Sequence, residues 1–266
     1  MAWWLAVLLA SAGQGERAVR CELEPAQPEA RRIVREQPLY CFSYAYPAAA
    51  RPVPGLETLL LREARRAEAK LGRRAARSLR QSPAIALPAT RIRYSHHLGW
   101  SIAADTPPLL ALVGAASAYS GGAREALSYE TLLWDRSARR RIRFADLFTD
   151  AGAAMRRLHP GFCVALRAAR AETHDEVRGE DRLCPIPARE LAGRPIALIG
   201  EGGRIRSLRV LIAPWSLYVE PVEVDVPLTP ELLALVKPRY REAFGVGHPA
   251  VGYPSTTLGV VALPID

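Results

Sequence analysis

Lysine is nearly missing from this 266-residue chain: of its 36 basic residues only Lys70 and Lys237 are lysines, and the rest are arginine. An Arg- and Ala-rich composition with a net charge of +9 has two readings. One is the codon bias of a GC-rich genome; the other is affinity for an anionic surface such as lipid headgroups or cell-wall polymer. Aromatic residues make up only 7% and do not interleave with the arginines, so no nucleic-acid partner is expected. No Cys-x-x-Cys occurs, which excludes thioredoxin-like chemistry and the common zinc spacings. Neither a phosphate-binding P-loop nor a Gly-x-Ser-x-Gly elbow is present. His96, His97, His159, His174 and His248 never form a His-x-x-x-His pair. His96 and His97 are adjacent, and neighbouring side chains on a strand point to opposite faces, so they do not hold one metal. No metal and no cofactor is expected.

Hydrophobic residues make up 49%, enough to build a core. Residues 1–12 open on the short apolar run Ala2-Trp3-Trp4-Leu5-Ala6-Val7-Leu8-Leu9 and close on Ala10-Ser11-Ala12, a small-x-small cleavage pattern. This reads as a secretory signal peptide and predicts a periplasmic or secreted protein. The run is too short to cross a membrane, and no second apolar stretch reaches that length. The four cysteines, Cys21, Cys41, Cys163 and Cys184, suit export. Four cysteines allow three connectivities. Local pairing, Cys163–Cys184 and Cys21–Cys41, closes two modest loops worth roughly 3 kcal/mol each.

The centre of the chain, Leu109 to Phe148, reads as a β-meander. Two apolar runs flank Gly121-Gly122, which can take the positive φ of a tight reversal. Before it, Leu39–Tyr46 alternates as a strand, and residues 13–37 read as a charged linker. Leu56, Leu60, Ala64, Ala67, Leu71, Ala75 and Leu79 recur at helical spacing and predict an amphipathic helix that Pro83 stops. Its other face carries Arg65, Arg66, Arg73, Arg77 and Arg80, either a solvated face or a surface for an acidic polymer. Within Thr90 to Ala104, Ile92, Tyr94, Leu98, Trp100 and Ile102 share one parity of a further strand. After the meander a helix is expected, interrupted at Pro160. Three strands follow over 195–226, then a short helix with Thr229 as N-cap and Pro230 at its first position. The expected fold class is α+β: an antiparallel meander sheet packed with helices, preceded by a smaller strand-plus-long-helix lobe. The expected divisions are a signal peptide at 1–12, a linker at 13–37, an N-terminal lobe at 38–88, an α+β domain at 89–245 and an extended tail at 246–266.

Phe42-Ser43-Tyr44-Ala45-Tyr46-Pro47, Tyr119-Ser120-Gly121-Gly122-Ala123, Leu133-Trp134-Asp135, Asp146-Leu147-Phe148, Phe162-Cys163, Ile212-Ala213-Pro214 and Val224-Asp225-Val226-Pro227-Leu228 together resemble a family of exported bacterial proteins. Its domain of unknown function is shared with the extracytoplasmic part of RsiV-type anti-sigma factors, which are lysozyme receptors. It also accompanies the catalytic domain of PdaC-type peptidoglycan deacetylases. The resemblance implies an envelope protein with a binding or accessory role. Arg124 stands where that family usually carries His, and Trp215-Ser216-Leu217-Tyr218 stands where it usually has a Gly-rich turn. Nothing in the chain is similar to the deacetylase catalytic domain or to a sigma-binding segment.

Gly121, Gly122 and Arg124 form the candidate binding site: backbone N–H groups of a tight turn beside a guanidinium suit an anion. Glu125, Glu130 and Asp135 lie near the same turn, and paired carboxylates hydrolyse glycosides. Two functions follow. The first is a non-catalytic, exported binding or accessory domain for an envelope protein or an anionic wall or lipid surface. The second is a carboxylate-dependent hydrolase of cell-wall polymers. Asp135 and Asp146 are expected as turn and cap residues, and Trp100, Trp134 and Trp215 as core or groove aromatics.

Overall fold

The computed structural model describes residues 29–81, 94–121, 125–172, 184, 186–213 and 222–247. The signal-like segment, Cys21, Gly122, Arg124 and Trp215 lie outside the described residues.

Six strands form the main sheet, in chain order: β1 (Arg31–Glu36), β2 (Tyr40–Tyr46), β3 (Tyr94–Asp105), β4 (Leu109–Tyr119), β5 (Ala126–Asp135) and β6 (Arg140–Ile142). The fold is α+β, but the sheet is mixed rather than purely antiparallel. β2 and β3 run parallel, with Tyr40 opposite Tyr94 and Ala45 opposite Gly99. Parallel neighbours need a long crossover. The helix α1 (Leu56–Gln81) lies between them in sequence and packs on both.

α1 buries Leu56, Leu60, Ala64, Leu71 and Ala75 against that sheet. It shares a core with Phe42, Tyr44 and Tyr46 of β2, Leu98 and Trp100 of β3, Leu110 and Leu112 of β4, and Leu132 and Trp134 of β5. Tyr94, Leu98, Trp100 and Ile102 do face one side together, as their parity requires. The expected division after residue 88 therefore falls between two hydrogen-bonded strands, and one core spans it. The linker reading fails over part of its length. Residues 31–36 pair with β2, Ile33 opposite Tyr44, and Ile33 packs against the α1 core. Only Ile33 and Val34 are apolar in β1, too few for a period-2 signal, so the strand is made by an available edge rather than by its own pattern.

A second sheet joins β7 (Ile196–Glu201), β8 (Arg204–Ile212) and β9 (Val222–Pro227), all antiparallel. Ala197 and Leu211 meet Val113 of the main sheet. Ile196, Leu198, Leu208, Val210, Val224 and Val226 join a core shared with helix α2 (Ala151–Glu172). α2 runs through Pro160 without the expected interruption. A proline there costs a backbone hydrogen bond, yet Leu158, Phe162 and Leu166 lie fully in the core on the turns around it. Burying three such side chains is worth several kcal/mol and outweighs the local penalty.

Cys163 of α2 is bonded to Cys184, with their Cα atoms 5.3 Å apart, as expected. Cys41 is buried on β2, and no described cysteine is a free thiol. A short helix α3 (Ala188–Leu191) follows, which four residues could not announce by periodicity. Helix α4 (Pro230–Leu233) starts as expected: the Leu232 N–H donates to the Thr229 hydroxyl at 3.3 Å. A 3-10 stretch, Pro238–Ala243, follows near the end of the described residues and buries Tyr240.

Candidate functional site

The second half of α1 overhangs the ends of β3, β4 and β5 and leaves an open cleft of about 410 Å³ between them. Its floor is Tyr44. The Trp100 indole N–H donates to the Tyr44 hydroxyl at 2.8 Å, fixing both rings. Room for that indole comes from Gly114, where a Cβ would stand 3.1 Å from Trp100 Cε3 and 2.9 Å from Leu98 Cδ1. Burial pushes the Tyr44 hydroxyl up, so it is a neutral group at physiological pH.

One wall is α1 itself. Arg66, Lys70 and Arg74 line the cleft at i, i+4 and i+8, one above another on the helix. Stacked like charges cost a few tenths of a kcal/mol per pair. None of the three forms an ion pair among the described residues. The glutamates of α1 are engaged elsewhere. Glu57 accepts from Arg31 at 2.8 Å and from the Tyr46 hydroxyl at 2.9 Å, Glu63 accepts from Arg141 at 3.0 Å, and Glu68 accepts from the Tyr40 hydroxyl at 3.3 Å. The acids of the helix thus fasten it to the sheet, while the cations face the cleft.

The other wall carries Tyr94, His96, Tyr119 and Glu130. Burial lowers the His96 pKa, and His97 and Lys70 lower it further, so the imidazole is held neutral. His97 points to the opposite side of β3, where burial also lowers its pKa and its Nδ1 has no partner. The two rings are on opposite faces of the strand. Glu130 keeps contact with solvent in the open cleft. The surrounding protein still pushes its carboxyl up; the Glu63 charge adds to this and Arg141 opposes it. Water screens such a push.

The rim of this cleft is the turn picked out from the sequence. Gly121 has φ +87°, and a Cβ there would lie 3.4 Å from the Tyr94 hydroxyl. Ser120, the residue before it, lines the cleft. Gly122 and Arg124 are outside the described residues, so the anion site as a whole is not placed. Of the three carboxylates near the turn, Glu125 is exposed, Glu130 faces the cleft, and Asp135 is buried at the far end of β5. They do not come together. The partner of Glu130 is Glu63 of α1, which no local pattern links to it.

Asp135 is a turn residue and more. It accepts the Ala138 N–H at 2.8 Å and the Tyr240 hydroxyl at 2.7 Å. Burial alone would raise its carboxyl, but these hydrogen bonds and Arg239 hold it below the usual range. Asp146 accepts from the Arg143 backbone N–H at 2.9 Å, the cap expected of it. A second cleft, about 520 Å³, has the apolar lining Leu133, Ile142, Met155 and Ile196 with Arg141, Arg143 and Arg194 around it. Arg141 and Arg143 are neutralised there by Glu63 and Asp146, so it offers an anion less charge than the α1 cleft does. No helix among the described residues is long and apolar enough to cross a membrane.

No family model and no curated protein matches the chain. Solved structures do. A member of the DUF3298 family from Bacteroides fragilis is 12% identical with a TM-score of 0.50, covering 80% of this chain and 95% of that one. A DUF3298 family protein from Pseudomonas aeruginosa is 17% identical with a TM-score of 0.48, covering 79% and 94%. The first of these likenesses shows a similarity of fold, and of fold alone.

Proposed function

We propose that this chain is a non-catalytic binding domain of the bacterial cell envelope, and that the α1 cleft takes an anionic segment of a cell-wall polymer. One observation carries the reading: Arg66, Lys70 and Arg74 line a single cleft, and none of them forms an ion pair among the described residues. The half-buried Tyr119 and Ser120 add hydroxyls suited to a polar, carbohydrate-like ligand. The signal-like residues 1–12 and the resemblance to RsiV-type and PdaC-type envelope proteins support export and wall association.

The test is co-sedimentation of the full chain with purified sacculi, alongside titration with soluble anionic wall fragments. The triple variant R66A/K70A/R74A is expected to bind at least about tenfold more weakly, each lost charge contact removing roughly 0.5 kcal/mol or more. Raising the salt concentration is expected to weaken the native protein more than the variant. Equal affinities of the two proteins at low salt overturn the reading.

A second reading, a carboxylate-dependent hydrolase, rests on Glu130 and Glu63 sharing the cleft. General acid catalysis needs a carboxyl kept protonated near neutrality. Glu130 is exposed and Glu63 is bonded to Arg141, which favours binding over turnover. Release of reducing ends by the native protein, abolished in E130Q, would reverse that preference.

A further inference from the structure

His159, Cys163 and Cys184 form a cluster whose ligand atoms all lie within 4.8 Å of one another. We propose that this cluster, once its disulfide is reduced, is a Zn²⁺ site with three protein ligands. No common zinc spacing in the sequence points to it. The folded chain brings a helical His-x-x-x-Cys pair to a cysteine 21 residues beyond Cys163.

A backbone carbonyl holds one nitrogen of the imidazole. His159 Nε2 lies 2.9 Å from the Ile186 carbonyl oxygen. A carbonyl only accepts, so Nε2 carries the proton and donates, which leaves the Nδ1 lone pair free. Metal-bound histidines are commonly oriented by such a bond from the other ring nitrogen. Cys163 Sγ lies 3.8 Å from Nδ1 and 3.4 Å from Nε2, so in the disulfide it does not stand on the Nδ1 lone-pair axis. Two ligands of one tetrahedral zinc, at about 2.0 Å for nitrogen and 2.3 Å for sulfur, stand roughly 3.5 Å apart. Reduction frees the sulfur to rotate about its Cα–Cβ bond, and the site needs that rotation to bring it in front of Nδ1. Cys184 and His159 are only half-buried, so reductant and metal can reach them. Cys163 is buried among apolar residues of α2, which favours a neutralised pair of thiolates over free ones.

The chemistry balances with a dithiol as reductant. The dithiol loses its two S–H bonds and forms its own disulfide; the Cys163–Cys184 bond breaks and two thiols form. Zn²⁺ then displaces both thiol protons to solvent and takes two thiolates and Nδ1, with a fourth position for water. In either redox state the sulfurs fasten α2 to the return at Cys184: by a covalent bond when oxidised, through the metal when reduced.

The experiment uses the full chain in a C21S/C41S background, so that only one pair of thiols is present. It is reduced with a dithiol, freed of reductant, and titrated with Zn²⁺ against a chromophoric chelator. Co²⁺ serves as a second probe for thiolate charge-transfer absorption. The reduced protein is expected to bind one Zn²⁺ and to show the thiolate band. H159A should bind about tenfold or more weaker, and the oxidised protein and C163S/C184S should bind none at this site. Should C21S/C41S fail to fold, the same titration is run on the native chain, with C163S/C184S as the control to be subtracted. Reduced protein that binds no better than C163S/C184S overturns the proposal. So does H159A binding as tightly as its parent, which would remove the histidine from the ligand set.

Discussion

Tyr240→Phe removes one oxygen and leaves the ring in place, and it is expected to be among the more costly single-atom changes in this protein. Tyr240 is 1% exposed and Asp135 is 2% exposed, so neither can replace the 2.7 Å bond between them with a bond to bulk water. A hydrogen bond to a charged group contributes about 1.5–3 kcal/mol, and a buried carboxylate that loses a donor sits at the upper end of that range. The ring still fills its place beside Ala243 and Phe244, so little packing is lost. We expect Tyr240→Phe to lower stability by about 2 kcal/mol in urea titrations and Tm by roughly 4–8 °C. The pH dependence supplies an independent check. The Asp135 carboxyl is held below its ordinary value in the fold, whereas in the unfolded chain it titrates near about 3.9. Its contribution is therefore present above that unfolded value and is lost as pH falls through the folded one. In Asp135→Asn this acid limb should flatten. A Tyr240→Phe loss below about 0.5 kcal/mol, or an unchanged acid limb in Asp135→Asn, would refute the reasoning, because both follow from one desolvated, hydrogen-bonded carboxylate.

Three other outcomes are expected. Gly121→Val places a branched side chain at φ +87° beside the Tyr94 hydroxyl, and should cost about 1–2 kcal/mol in thermal or urea melts; a neutral result would mean that the turn rearranges freely. His96 and His97 both have lowered pKa values in the fold, so stability should be full above the unfolded value near about 6.5 and decline as pH drops from there. A chain with both residues changed to Gln should lose that slope, and an identical slope in the variant would place the titration elsewhere. Arg209 donates to Asp225 at 2.6 and 2.7 Å and to Glu223 at 2.8 Å, and Arg209→Met would leave two carboxylates facing each other. Partial solvation of Asp225 keeps the cost near about 2 kcal/mol rather than the 3–5 kcal/mol of a fully buried pair, and urea titration showing no loss would mean that water already screens the trio.

Local order was legible in the chain because local order follows short periods. Leu56, Leu60, Ala64, Leu71 and Ala75 mark one stripe of a helix before anything is folded, and the same stripe is buried in α1. The apolar run in Leu109–Tyr119 and the glycine at 121 specify a hairpin arm and its reversal, and Thr229-Pro230 specifies a helix start. The Cys163–Cys184 loop was legible for the same reason: its two ends are close in sequence, and few competing partners exist. What the tertiary structure decided is everything that depends on residues far apart. β1 has no pattern of its own and exists because β2 offers an edge. Pro160 breaks a helix in isolation, yet Leu158 and Phe162 hold α2 together by burial on either side of it. Glu130 acquires Glu63 rather than Glu125 or Asp135 as its neighbour, because β5 and α1 meet only after β2 and β3 have paired across the helix. The cleft follows from that same meeting. Of Arg66, Lys70 and Arg74 only Arg66 belongs to the basic face read from the sequence, and the sheet ends opposite them turn the three into one wall. Periodicity reports which side of an element is apolar; which element it faces is set by packing free energy summed over the whole chain, and no window of sequence contains that sum.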